Sequence, residues 1–116
     1  MVEMHRAPDE FTRSLAASFV SWGIPTAESI LQVREAAPEL PVFASGGIKD
    51  GLDIAKSIAL GATLGGMAGP FLKAAAVSAE SVVETVRLTQ RQIEIAMFAS
   101  GAGSLGELGM EKLVEI

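Results

Sequence analysis

The sequence predicts an α/β fold with parallel strands, and three observations carry that prediction. Two short apolar runs, Leu40 to Ala44 and Ala62 to Met67, have strand character. Each is followed by a glycine-containing loop and then by a segment of helical period. The order along the chain is helix, helix, strand, helix, strand, helix, and strands that alternate with helices form βαβ units.

The elements follow in turn. Met1 to Asp9 reads as a polar loop. Phe11, Leu15, Phe19 and Trp22 are spaced four, four and three, which predicts one helical face over Phe11 to Trp22, with Trp22 in the core. Gly23-Ile24-Pro25 breaks that helix. Thr26 is placed to N-cap the next, with Glu28 in its first turn, and Pro38 ends it. Leu40 to Ala44 reads as a strand buried on both faces. Asp50 is the expected N-cap of a helix to about Leu60, with Leu52, Ile54, Ala55, Ile58 and Ala59 inward and Gly61 just past its end. Ala62 to Met67 is the second buried strand, and Ala68-Gly69-Pro70 its exit loop. Phe71 to Ala76 makes a short helix. Ser78 caps a long one through about Ala99, with Val82, Val83, Val86, Leu88, Ile93, Ile95, Met97 and Phe98 on or near its buried side. Gly101 and Gly103 end it, and Ser104 to Glu107 has the spacing of a capping box.

Length and composition exclude several functions. The 116 residues suffice for one domain, and 49% apolar content allows a core. The net charge is −5 and the nine Lys and Arg are scattered, which argues against a nucleic-acid surface. There is no cysteine, so disulfides, thiolate catalysis and thiolate metal sites are excluded. The polar N-terminal stretch has no secretory signal character. The longest near-apolar run, Ile58 to Leu72, is shorter than the roughly 20 residues of a membrane span and is broken by glycines. A cytoplasmic location with no membrane partner is expected.

The loops carry the chemistry. Ser45-Gly46-Gly47 leaves the first strand, and two glycines admit backbone conformations closed to other residues. Amides there, with a helix N-terminus behind them, bind a phosphate without needing Lys or Arg. Gly66-Met67-Ala68-Gly69-Pro70 repeats the arrangement one βα unit later. In a (β/α)8 barrel, the loops after strands 7 and 8, with a short extra helix, form a recurrent phosphate site. The expected fold is therefore the C-terminal part of such a TIM barrel: strands 7 and 8 with flanking helices. A dinucleotide-binding reading is weaker, because no G-x-G-x-x-G opens a helix.

Four segments then stand out: Trp22-Gly23-Ile24-Pro25-Thr26-Ala27-Glu28-Ser29, Ala44-Ser45-Gly46-Gly47-Ile48, Ile58-Ala59-Leu60-Gly61-Ala62 and Gly66-Met67-Ala68-Gly69-Pro70-Phe71-Leu72-Lys73. In this order they resemble type 2 isopentenyl-diphosphate isomerase, over nearly the whole chain. That family is similar in fold to the FMN-dependent α-hydroxy acid oxidases. The resemblance implies a barrel holding FMN at the C-terminal ends of its strands. It implies interconversion of isopentenyl and dimethylallyl diphosphate, with NADPH to reduce the flavin and Mg²⁺ as further requirement. It implies main-chain contacts from Gly46, Gly47 and Ile48 to the FMN phosphate, and from Ala68 and Gly69 as the second half of that site. Ser45 either binds phosphate through its hydroxyl or caps the turn. The chain matches only the C-terminal third of that family. Residues 1–116 are thus expected to be a single partial domain, with catalytic residues and metal ligands on upstream strands and the segment alone inactive.

Two alternatives stand beside this reading. One is a fragment of an FMN-dependent α-hydroxy acid oxidase or dehydrogenase, though such enzymes carry a basic residue where this chain has Gly69. The other is a non-catalytic domain that binds a phosphorylated ligand. Other conspicuous residues read as structural. His5 is a lone solvated histidine, and Asp50, which forms an i, i+3 carboxylate pair with Asp53, is better explained as a helix N-cap. Lys49 either reaches the phosphate or lies in solvent. Met67, Met97 and Met110 fill the core. Glu80, Glu84, Arg87, Arg91 and Glu94 form a solvated helix face, which the resemblance implies also helps subunits associate. A chain with two unpartnered strands is expected to self-associate or to form a homo-oligomer.

Overall fold

Five helices and two strands follow one another, as the computed structural model shows for residues 9–116. They are α1 (Glu10–Ala17), α2 (Thr26–Ala36), β1 (Phe43–Ala44), α3 (Gly51–Ala59), β2 (Leu64–Gly65), α4 (Gly69–Val77) and α5 (Ala79–Ser100). Two 3₁₀ turns, Leu105–Glu107 and Met110–Lys112, close the chain. The polar segment before Asp9, with His5, lies outside the described residues.

The strands are parallel, with Phe43 beside Leu64 and Ala44 beside Gly65. Their ladder is shorter than the sequence predicts, yet pairing continues past both ends. The Thr63 amide donates to the Val42 carbonyl at 2.7 Å, and the Gly66 amide to the Ala44 carbonyl at 2.8 Å. The expectation of strands buried on both faces is corrected. Ala44 is buried, but its neighbour Phe43 is 67% exposed and Leu64 44%. Side chains alternate across a strand, and among the described residues the covered face is the one toward α3.

That covered face holds the core. Ile30, Ala44, Ile48, Ile54 and Ala62 form one cluster, with Met67 at its margin. Ala55, Ala59, Ala102 and Leu108 form a second, between α3 and the end of α5. Helix α3 packs on both α5 and β2, and α4 packs on α5. The helix ends follow local rules. Asp50 accepts from the Asp53 amide at 2.8 Å, and Ser78 from the Ser81 amide at 3.1 Å. Glu107 completes the capping box with Ser104.

Several expectations about burial fail, each for a tertiary reason. Helix α1 stops at Ala17, because the amides of Phe19, Val20 and Trp22 turn to carbonyls three residues back. Trp22 is 80% exposed and meets only the edge of Phe19, at 5.8 Å between centroids, so it is no core residue here. Leu52 and Met110 are also exposed. Helix α5 turns Val82, Thr85, Thr89 and Ile93 inward, whereas Val83, Val86, Leu88, Ile95 and Phe98 are exposed. Threonines can occupy the packed face because their hydroxyls return to the helix. Thr85 donates to the Ser81 carbonyl and Thr89 to the Thr85 carbonyl.

Candidate phosphate-binding site

The pairing of β1 and β2 brings two loops together at the same end of the sheet. The Gly66 amide bonds to the Ala44 carbonyl, so the second loop leaves its strand beside the first. In the first loop, Gly46 has φ 103° and Gly47 φ 72°. Two consecutive left-handed residues are cheap only for glycine. Ile48 then turns its side chain into the core, which fixes the loop's far end.

The second loop runs directly into α4. Sequence periodicity places that helix from Phe71, but it begins at Gly69. Pro70 allows the earlier start, since its fixed φ suits a first turn and its missing N–H costs nothing there. Gly69 is therefore a helix-opening residue, and a Cβ there would meet nothing within 4 Å.

Among the described residues, the amides of Gly46, Gly47, Ile48, Ala68 and Gly69 make no hydrogen bond. Two amides just after the first loop are taken. Lys49 N–H donates to Asp53 Oδ2 at 3.1 Å, and Gly51 N–H to Gln92 Oε1 at 2.7 Å. The N-terminus of α3 is thus served by Asp50, Asp53 and Gln92, and α4 offers the open helix end. Five open donors on two adjacent loops suit an acceptor-rich, anionic group.

Nearby charges are internally paired. The Lys49 ammonium lies 3.1 Å from Asp53 Oδ2, which raises the lysine pKa through that hydrogen bond and charge. Burial opposes ionisation of Asp53, but the Lys49 amide and ammonium outweigh it and hold the carboxyl below its ordinary range. Among the described residues, no three acidic or histidine side chains converge as metal ligands. No described helix is long and apolar enough to cross a membrane.

Two contacts escape sequence reasoning. Arg34 donates to the Gly61 carbonyl from Nε at 3.0 Å and Nη2 at 2.6 Å, and its Nη1 reaches the Pro38 and Leu40 carbonyls at 2.8 and 2.9 Å. It ties the end of α2 to the start of both strands. Gly51 lets the α5 backbone approach, since a Cβ there would collide with the Thr89 carbonyl. Both join residues far apart in sequence, and no local pattern announces them.

Residues 20–115 match the family model for FMN-dependent dehydrogenases, and the chain belongs to that family. Within it, the chain is similar to proteins named isopentenyl-diphosphate delta-isomerase. It is 45% identical over 112 residues to one from Rickettsia bellii (strain RML369-C), covering 97% of this chain and 33% of that protein. It is 44% identical over 115 residues to one from Stutzerimonas stutzeri (strain A1501), covering 99% and 33%. A relative from Cronobacter sakazakii (strain ATCC BAA-894) is 40% identical over 115 residues. The chain spans about a third of the length of these curated relatives.

Proposed function

We propose that this chain supplies the FMN-phosphate half-site of an isopentenyl-diphosphate isomerase. In this reading β1 and β2 are strands 7 and 8 of a (β/α)8 barrel, and residues 1–116 form one part of that domain. The observation that carries the reading is the set of five amides without an acceptor: Gly46, Gly47, Ile48, Ala68 and Gly69. A phosphate monoester would take such donors without a basic side chain. Barrel architecture also accounts for the uncovered apolar face of Phe43 and Leu64, which would point into the barrel interior. A groove of about 500 Å³ beside β2, lined by Leu64, Phe71, Val86 and Ile93, fits the place of a further neighbour. The relatives' names favour the isomerase over an α-hydroxy acid oxidase, as does the glycine at 69.

When bound and reduced, FMN would supply the proton-transfer chemistry of the allylic rearrangement. This chain's share is to hold the cofactor's phosphate and so fix one end of it. NADPH as reductant, Mg²⁺ and the diphosphate substrate belong to the complete protein. The test assembles the chain with the upstream two thirds of the Rickettsia bellii relative and measures bound flavin. Equimolar FMN is expected, and Gly47→Val should abolish it. A Cβ at Gly47 meets no protein atom within 4 Å, so its effect would arise from backbone strain and from filling the cradle. Undiminished flavin in that variant would overturn the assignment.

A further inference from the structure

Thr26 is the first residue of α2, where a threonine hydroxyl commonly serves a helix end. Here it does not: Pro25 occupies the N-cap position, without a side-chain cap. The Thr26 hydroxyl instead reaches 20 residues along the sequence and donates to the Gly46 carbonyl at 2.8 Å. The Ser45 carbonyl lies 3.4 Å from the same oxygen. A trans peptide is planar, with its C=O and N–H pointing in opposite directions. A hydroxyl that holds the Gly46 carbonyl therefore aims the Gly47 N–H away from α2. The Ser45 carbonyl is coupled in the same way to the Gly46 N–H. Neither glycine has a side chain to restrict its backbone, and they carry two of the five open amides.

We infer that Thr26 is the positioning residue of the anion cradle, its hydroxyl orienting the Gly46 and Gly47 amides toward the bound phosphate. The inference rests on the cradle reading above, and the experiment separates the two. The ¹⁵N-labelled chain is assembled with the unlabelled upstream segment of the Rickettsia bellii relative, and inorganic phosphate is titrated in while the backbone amide resonances are followed. In the wild type the Gly46 and Gly47 amides should move and saturate. Thr26→Val should raise the half-saturating concentration about tenfold, the worth of one orienting hydrogen bond. Thr26→Ser keeps the hydroxyl and should stay within about twofold. Resonances remote from the loop report in the same spectra that the fold is unchanged. Wild-type affinity in Thr26→Val would overturn the positioning role and leave the cradle standing. Weakened binding in Thr26→Ser would overturn it as well, and this variant decides the matter if the valine variant unfolds. Glycine amides that ignore phosphate in the wild type would overturn cradle and inference together.

Discussion

Arg34 does more for this fold than its place among scattered basic residues announces. Its guanidinium makes four hydrogen bonds to the carbonyls of Gly61, Pro38 and Leu40, where helix α2 ends and both strands begin. Truncation would leave the part-buried Gly61 carbonyl without its donors and the exposed Pro38 and Leu40 carbonyls to water, so Arg34→Ala should destabilise the chain by about 1–2 kcal/mol in urea unfolding. Arg34→Lys should recover only part, because an ammonium cannot reproduce the planar fork. The contact with Gly61 crosses 27 residues, so a single sequence does not reveal it. The glycines of the first loop were legible as a turn for the opposite reason. Two adjacent glycines after an apolar run are a demand of the backbone itself, and the left-handed angles at Gly46 and Gly47 are that demand. Thr26 shows where local reasoning misleads. It has the residue type of an N-cap, but its hydroxyl serves a distant loop.

At the scale of elements, the N-caps of α3 and α5 were legible. Asp50 and Ser78 accept the amides that their spacing predicts, and the Glu107 carboxylate accepts from the Ser104 amide at 3.2 Å. Asp50→Ala should cost about 1 kcal/mol of stability, measured by thermal unfolding. Faces were less legible, because hydrophobicity alone does not say which side of α5 has a partner. The packed face there carries Thr85 and Thr89, while Leu88 and Phe98 are exposed. Helix α3 also carries a pH dependence. The folded carboxyl of Asp53 titrates below its ordinary range, so it binds its proton less readily than in the unfolded chain. Its contribution is complete above about pH 4, the unfolded value, and is lost as the pH falls through the lower folded value. Urea midpoints measured from pH 5 down to pH 2 should show this loss, and Asp53→Asn should flatten it.

At the scale of the molecule, the chain has more apolar surface than it can cover. Phe11, Trp22 and Phe43 are 78%, 80% and 67% exposed, and among the described residues the sheet has two strands. Its radius of gyration, 16.4 Å, exceeds the roughly 13 Å of a compact 100-residue domain. Surfaces of this kind associate. Sedimentation of the chain alone should show species larger than a monomer, and addition of the upstream barrel segment should replace them with one defined assembly. The central claim concerns the two loops, and their amides report on it directly. The measurement labels only this chain with ¹⁵N, assembles it with the unlabelled upstream segment, and compares amide spectra with FMN and with riboflavin, which lacks the phosphate. The account predicts that the amides of Gly46, Gly47, Ile48, Ala68 and Gly69 move downfield with FMN and hold their positions with riboflavin. Identical spectra with the two flavins, or phosphate-dependent shifts confined to other residues, would contradict it.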